Sequence, residues 1–251
     1  MSSYGIFARY YDQLTQNISY TDRAQYFSGI LKKYGNGGTN FLDLACGTGS
    51  LTYALADLGH QVMGVDGSEE MLTQAMMKNE KGILFLHQKM EKLSLYEPVD
   101  GIICALDSLN HVTETSKVEN IFLKVADSLV HDGLFLFDMN SRYKQETVLG
   151  NHTFLYDLDG IYCVWQNTWV SEKSLTKIDL DFFVRQDKNH YDRFEEHFAE
   201  RVYDTCEVQE FLKKAGLELL AIFGDDTMEK PMDTTQRLIY VAKKPAGETE
   251  K

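Results

Sequence analysis

Basic residues are scarce relative to acidic ones: 25 Lys and Arg against 38 Asp and Glu in 251 residues leave a formal net charge of −13. Such a field opposes the phosphate attraction on which most nucleic-acid binding rests, so a directly bound RNA or DNA is not expected. Cysteine is sparse as well. Cys46, Cys104, Cys163 and Cys206 lie far apart and form neither a C-x-x-C pair nor a histidine spacing suited to zinc. They read as free, reduced and structural, and no metal is expected. No apolar run is long enough to span a membrane, and Met1-Ser-Ser-Tyr-Gly5 leads straight into polar, aromatic sequence without a targeting signal. These absences point to a soluble, cytoplasmic protein. Internal repeats and low-complexity tracts are missing too, which leaves one α/β domain with room for a modest insertion.

What is present centres on residues 41 to 50, FLDLACGTGS. An apolar run interrupted by Asp43 breaks into Gly47-Thr48-Gly49, and helix formers resume at Leu51. This is a buried strand turning sharply into a helix, with glycines that let a ligand approach the main chain. A dinucleotide fingerprint, G-x-G-x-x-G, would need a third glycine where Thr52 stands. Asp43 would repel a diphosphate but suits a ligand bearing a cationic amino group. A second motif, Gln61 to Leu72, reads as a short strand ending in Asp66, then Gly67, then Ser68 as the cap of a helix with Glu69 and Glu70 in its first turn. An acid at that strand tip can accept two hydrogen bonds from a ribose diol.

The two motifs together resemble those of the class I S-adenosylmethionine-dependent methyltransferases. The resemblance implies a Rossmann-like seven-stranded sheet, last strand antiparallel, flanked by helices, and S-adenosyl-L-methionine as cofactor. Its implied contacts are Asp43, Ala45, Cys46, Gly47 and Gly49 from the first motif and Asp66 and Gly67 from the second. After a third strand at Ile83 to Leu86, many relatives carry an acid for the adenine amino group; here Lys89 stands in that place. Gln88 is then expected to accept that hydrogen bond and Met90 to pack on the adenine. The fourth strand, Val99 to Leu106, ends in Asp107-Ser-Leu-Asn-His111, and Leu106 is taken as a further cofactor contact. Ligands in open α/β sheets lie beyond the carboxyl ends of the strands, so this polar run belongs where the methyl group leaves.

The phrase Phe7-Ala-Arg-Tyr-Tyr11-Asp12-x-Leu14 is similar to the N-terminal segment of small bacterial methyltransferases and of amino-sugar N-methyltransferases, where it folds over the cofactor as a lid. Tyr11 is the expected active-site contact, and Tyr20 or Arg23 reaches the methionine end; Thr21 can cap the second helix. An amine acceptor requires a base that titrates near neutrality. His111 is the candidate, with His197 as a weaker one.

From Asn140 to Glu200 helical period gives way to alternation, as in Ile161, Cys163, Trp165, Asn167 and Trp169, which predicts three or four antiparallel strands inserted after the fifth core strand. This sheet serves either as a substrate roof or as a dimer surface. The expected plan is therefore a helical lid at 1–36, a cofactor-binding core at 37–140 and 201–245, a substrate cap at 141–200 and a disordered tail at 246–251. The expected activity is methyl transfer to nitrogen or oxygen of a small molecule by a monomer or homodimer. The alternatives are a nucleotide-dependent oxidoreductase, an RNA- or protein-directed methyltransferase, and a non-catalytic protein that senses the cofactor.

Overall fold

A computed structural model describes residues 5–247. Seven strands form the core sheet: β1 (Asn40–Leu44), β2 (Gln61–Asp66), β3 (Phe85–His87), β4 (Val99–Cys104), β5 (Leu129–Asn140), β10 (Glu218–Gly224) and β11 (Arg237–Lys243), in the order β10-β11-β5-β4-β1-β2-β3. Only β11 is reversed, pairing antiparallel with both β5 and β10. The chain order changes direction between β1 and β4, which opens a crevice at their carboxyl ends. The third strand forms two residues later than its apolar run suggests.

Two apolar layers sandwich this sheet, as a parallel sheet buried on both faces requires. On one side α5 (Thr115–Ser128) and α6 (Thr205–Lys214) pack Phe122 and Phe211 onto Phe135, Phe137 and Tyr240. Phe122 meets Phe135 and Phe137 edge-on at 5.5 and 5.3 Å. On the other side α2 (Tyr20–Tyr34) and α3 (Ser50–Asp57) bury Ala24, Phe27, Ile30, Leu51 and Leu55. Ser19 rather than Thr21 caps α2, accepting the Asp22 amide at 3.3 Å. Helix α4 (Glu69–Met77) is capped by Ser68, as its sequence predicts.

The insertion is a second, four-stranded antiparallel sheet: β6 (Thr153–Leu158), β7 (Ile161–Val170), β8 (Leu175–Arg185) and β9 (Tyr191–Arg201). Its buried face presents Ile161, Cys163, Ile178, Leu180, Phe182 and Val184, and onto that face packs α1 (Gly5–Leu14) through Leu14, Phe7 and Tyr10. The insertion leaves and rejoins the core at one buried residue, Asn110. The Asn110 carbonyl group of the side chain accepts the Asn140 amide at 2.9 Å, its Nδ2 donates to the Arg201 carbonyl at 2.8 Å, and its own backbone carbonyl accepts the Arg201 amide at 2.8 Å. Of the expected tail, residues 248–251 lie outside the described residues, as do residues 1–4 of the lid.

Candidate active site

The β1–α3 loop winds through left-handed backbone at Ala45 (φ 61°), Gly47 (φ 55°) and Gly49 (φ 76°). A side chain at Gly49 would come within 3.0 Å of the Phe85 ring, so glycine is needed there for room as well as for φ. Asp66 ties this loop to the next: Gly47 N donates to its Oδ2 and Ser68 N to its Oδ1, each at 2.8 Å. Burial pushes the Asp66 carboxyl up from its usual range, against the pull of those amides. Asp43 is buried beneath the loop, and Thr52 Oγ1 donates to its Oδ2 at 2.6 Å. Thr52 thus has a use where a dinucleotide fold would keep glycine. Burial lifts the Asp43 carboxyl to about 7 even against that hydrogen bond. A cationic group in the adjoining recess would favour its ionised form.

Above this floor lies a cavity of about 380 Å³, lined from below by Ala45, Gly47, Asp66, Gly67, Met90 and Leu106. Phe7 and Tyr11 of α1, His111, and Phe198 of β9 line it from above. A smaller recess of about 30 Å³ continues from it, sharing Tyr11, Ala45, Gly47 and Leu106, and is bordered by Asp43, Cys46 and Tyr20. Eleven of the fourteen residues singled out from the sequence therefore line one or the other.

Three do not. Gly49 serves as the left-handed start of α3. Gln88 folds back on Ser94, accepting its amide at 3.0 Å and donating to its carbonyl at 3.2 Å. Arg23 is buried in ion pairs with Asp138 at 3.1 Å and Asp226 at 2.6 Å. His197, the weaker base candidate, stands on the outer face of the inserted sheet beside Asp179 at 2.6 Å and lines neither space. Lys89, which stands where many relatives carry the adenine acid, lines the main cavity, and so does Glu91, which nothing in its local sequence indicated.

The turn after β4 holds two consecutive non-glycine residues in left-handed backbone, Leu106 (φ 60°) and Asp107 (φ 54°). Such conformations cost of order 1–3 kcal/mol each and need support from their surroundings. Asp138, fully buried in β5, supplies it by accepting Leu106 N at 2.8 Å and Asp107 N at 2.6 Å. Arg237 bridges Asp138 and Asp107 at 2.5 and 2.7 Å. Burial opposes ionisation of Asp107, but Arg237, Lys144 and His111 outweigh it and hold the carboxyl below its usual range. Asp138 was legible only as an acid inside the apolar run LFLFDMN; Arg237 and Glu200 carried no signal.

Asp107, His111 and Glu200 each bring one ligand-type atom within 4.8 Å of the others. Arg237 and Lys144 already place positive charge beside these carboxylates, which leaves the cluster poorly suited to a divalent cation.

Comparison with known proteins decides the family. A methyltransferase-domain family matches residues 41–133. A protein of Geobacillus sp. (strain WCH70) that carries a methyltransferase name is 35% identical over 246 residues, 96% of this chain and 100% of its own length. The crystal structure of an S-adenosylmethionine-dependent methyltransferase from Clostridium acetobutylicum ATCC 824 superposes with a TM-score of 0.86 at 32% identity, covering 97% of this chain and 99% of that one. The chain belongs to the S-adenosylmethionine-dependent methyltransferases. The methyltransferase also shares its fold with CalS10, an amino pentose methyltransferase from Micromonospora echinaspora, at a TM-score of 0.74 and 18% identity over 91% of this chain and 93% of that one. Its cofactor is accordingly S-adenosylmethionine, and the residues at the crevice suit that compound: a glycine turn open to the main chain, one acid at a strand tip, and a second acid by the smaller recess. Among the described residues no helix is long and apolar enough to cross a membrane.

Proposed function

We propose that this methyltransferase acts on a nitrogen or oxygen of a small molecule, with an amine as the preferred acceptor. The observation that carries the reading is the sharing of one roofed cavity by Asp66 and Gly67 on its floor and Tyr11, His111 and Phe198 on its walls. Bound S-adenosylmethionine supplies a methyl group on a positively charged sulfur, ready for in-line displacement by an acceptor held about 3 Å away. In this reading Asp66 holds the ribose, Met90 packs on the adenine, and Ala45, Cys46, Gly47, Gly67 and Leu106 shape the channel. Asp43 and Tyr20 face the methionine end. Tyr11 and His111 face the acceptor, and His111 takes the proton that an ammonium must lose before its nitrogen can attack. The chain's net charge of −13 and the aromatic roof favour a small acceptor over RNA. An acidic lining also suits a cationic amine.

Calorimetry with S-adenosylmethionine and S-adenosylhomocysteine tests the cofactor assignment. Asp66→Ala is expected to weaken both by about 100-fold, the loss of two charge-assisted hydrogen bonds. Unchanged affinity would remove Asp66 from the site. A labelled-methyl assay over amines, nucleotide sugars and phenols then identifies the acceptor. On it, His111→Ala should lower turnover by about 100-fold or more at constant methyl-donor affinity, the low end of general-base catalysis.

A further inference from the structure

We propose that Glu200 is a positioning residue for His111, the two forming a proton-accepting pair on the acceptor side of the cavity. This rests on the reading of His111 given above, and it extends that reading to a residue 89 positions further along the chain.

Glu200 is the penultimate residue of β9, buried where the inserted sheet rejoins the core. Asn140 Nδ2 donates to its Oε2 at 2.9 Å and Gln145 Nε2 donates to the same oxygen. Gln145 is itself fixed by Thr176, whose hydroxyl donates to its Oε1. Both donors therefore engage one oxygen. The other, Oε1, points to His111 Nε2 at 3.8 Å, longer than a hydrogen bond but within ion-pair reach. Among the described residues His111 makes no hydrogen bond; its ring leans on Phe198 at 5.2 Å and borders the cavity. A buried carboxylate anchored on one side and open on the other toward an unanchored imidazole is the arrangement that orients a histidine base. Base geometry of this kind is often loose before ligands bind.

The charged groups facing Glu200 are Asp107 and His111 from the turn after β4 and Lys144 from the π-helical segment after β5 (Lys144–Leu149). Burial and the Asp107 charge raise the Glu200 carboxyl, while His111 and Lys144 work the other way. One proton passes from the substrate ammonium to the imidazole, leaving a neutral amine with a free lone pair. The imidazolium so formed is stabilised by the Glu200 carboxylate, and the proton leaves to solvent.

The test needs no methyl acceptor, so it stands apart from the search for one. In protein labelled with ¹³C-histidine, the ring signal of His111 (assigned by its loss in His111→Ala) is followed against pH. In Glu200→Gln its midpoint should move to lower pH by about one unit, since a carboxylate within ion-pair reach favours the imidazolium by that much or more. Glu200→Asp keeps the charge and should restore most of the shift. Methyl-donor affinity and thermal midpoint should stay close to wild type in Glu200→Asp, which guards against a fold defect. On an amine acceptor, Glu200→Gln should lower turnover about 10-fold, less than the loss of His111 itself, and shift the acidic limb of the pH profile in the same direction. A His111 midpoint that is the same in wild type and Glu200→Gln overturns the proposal. So does a shift of equal size in Glu200→Gln and Glu200→Asp, which would mark Glu200 as a packing residue.

Discussion

Asp138 accepts four donors: the amides of Leu106 and Asp107 and the guanidinium groups of Arg23 and Arg237. It sits where a parallel sheet would bury a hydrophobic residue, and the charge is kept because each oxygen is fully used. Asp138→Asn should therefore destabilise the fold by about 3 kcal/mol or more, because an amide nitrogen would face donors and two buried guanidinium groups would lose their shared partner. Urea unfolding measures this, and a loss under about 1 kcal/mol would show that the cluster relaxes at little cost. The contrast with Asp43 and Asp66 explains what could be read in advance. Those two acids sit within four residues of a glycine in short local patterns, so position along the chain was informative. Arg23, placed at the methionine end from sequence, instead meets a partner 115 residues away. Gln88 was lost to the main chain of Ser94, a nearby competitor that neither residue's type reveals.

Helix α1 joins the two halves of the molecule. On its outer side Asp12 accepts Thr48 Oγ1 at 2.6 Å and pairs with Lys78 at 2.7 Å, which fastens the helix to the glycine loop and to the end of α4. On its inner side Phe7 packs against Phe182 and Phe198 of the inserted sheet, with ring centroids at 6.4 and 5.9 Å. The Glu196 carboxylate of β9 accepts the Phe7 amide at the start of the helix. Cofactor exchange should require this helix to move, and Asp12→Ala should speed release of S-adenosylhomocysteine by a few-fold, as expected for a partly exposed ion pair. Stopped-flow dilution reads the rate; an unchanged value would mean that the cofactor escapes without disturbing α1. The aromatic richness of α1 was visible in the sequence, and so was the alternation of β7 and β8. Their mutual packing was not, since contacts across some 170 residues leave no local trace. On the sheet's buried face Leu14, Phe7 and Tyr10 of α1 pack among its aromatic and branched residues.

Over the whole molecule, several buried carboxyls share one electrostatic bias. Burial lifts Asp43 and Glu196 to about 7 and raises Asp66 and Glu200 in the same sense. A carboxyl whose folded value lies above its unfolded value stabilises the fold at low pH and loses that contribution as pH rises through the folded value. Asp107 runs opposite: its depressed value supports the fold above the ordinary carboxylate range and fails only as pH falls below it. The ligand-free protein should thus be most stable at about pH 4 to 5, lose stability as pH rises toward 7 and melt several degrees lower at pH 8. Differential scanning calorimetry in buffers of equal ionic strength checks this, and a melting temperature that climbs from pH 6 to 8 would refute it. Both ends of the inserted segment meet the core at the same residue. Because Asn140 and Arg201 both hang from the single side chain and carbonyl of Asn110, everything between them begins and ends at one doorway. If that upper storey admits the acceptor, as proposed, exchanging it together with α1 should change which molecules are accepted.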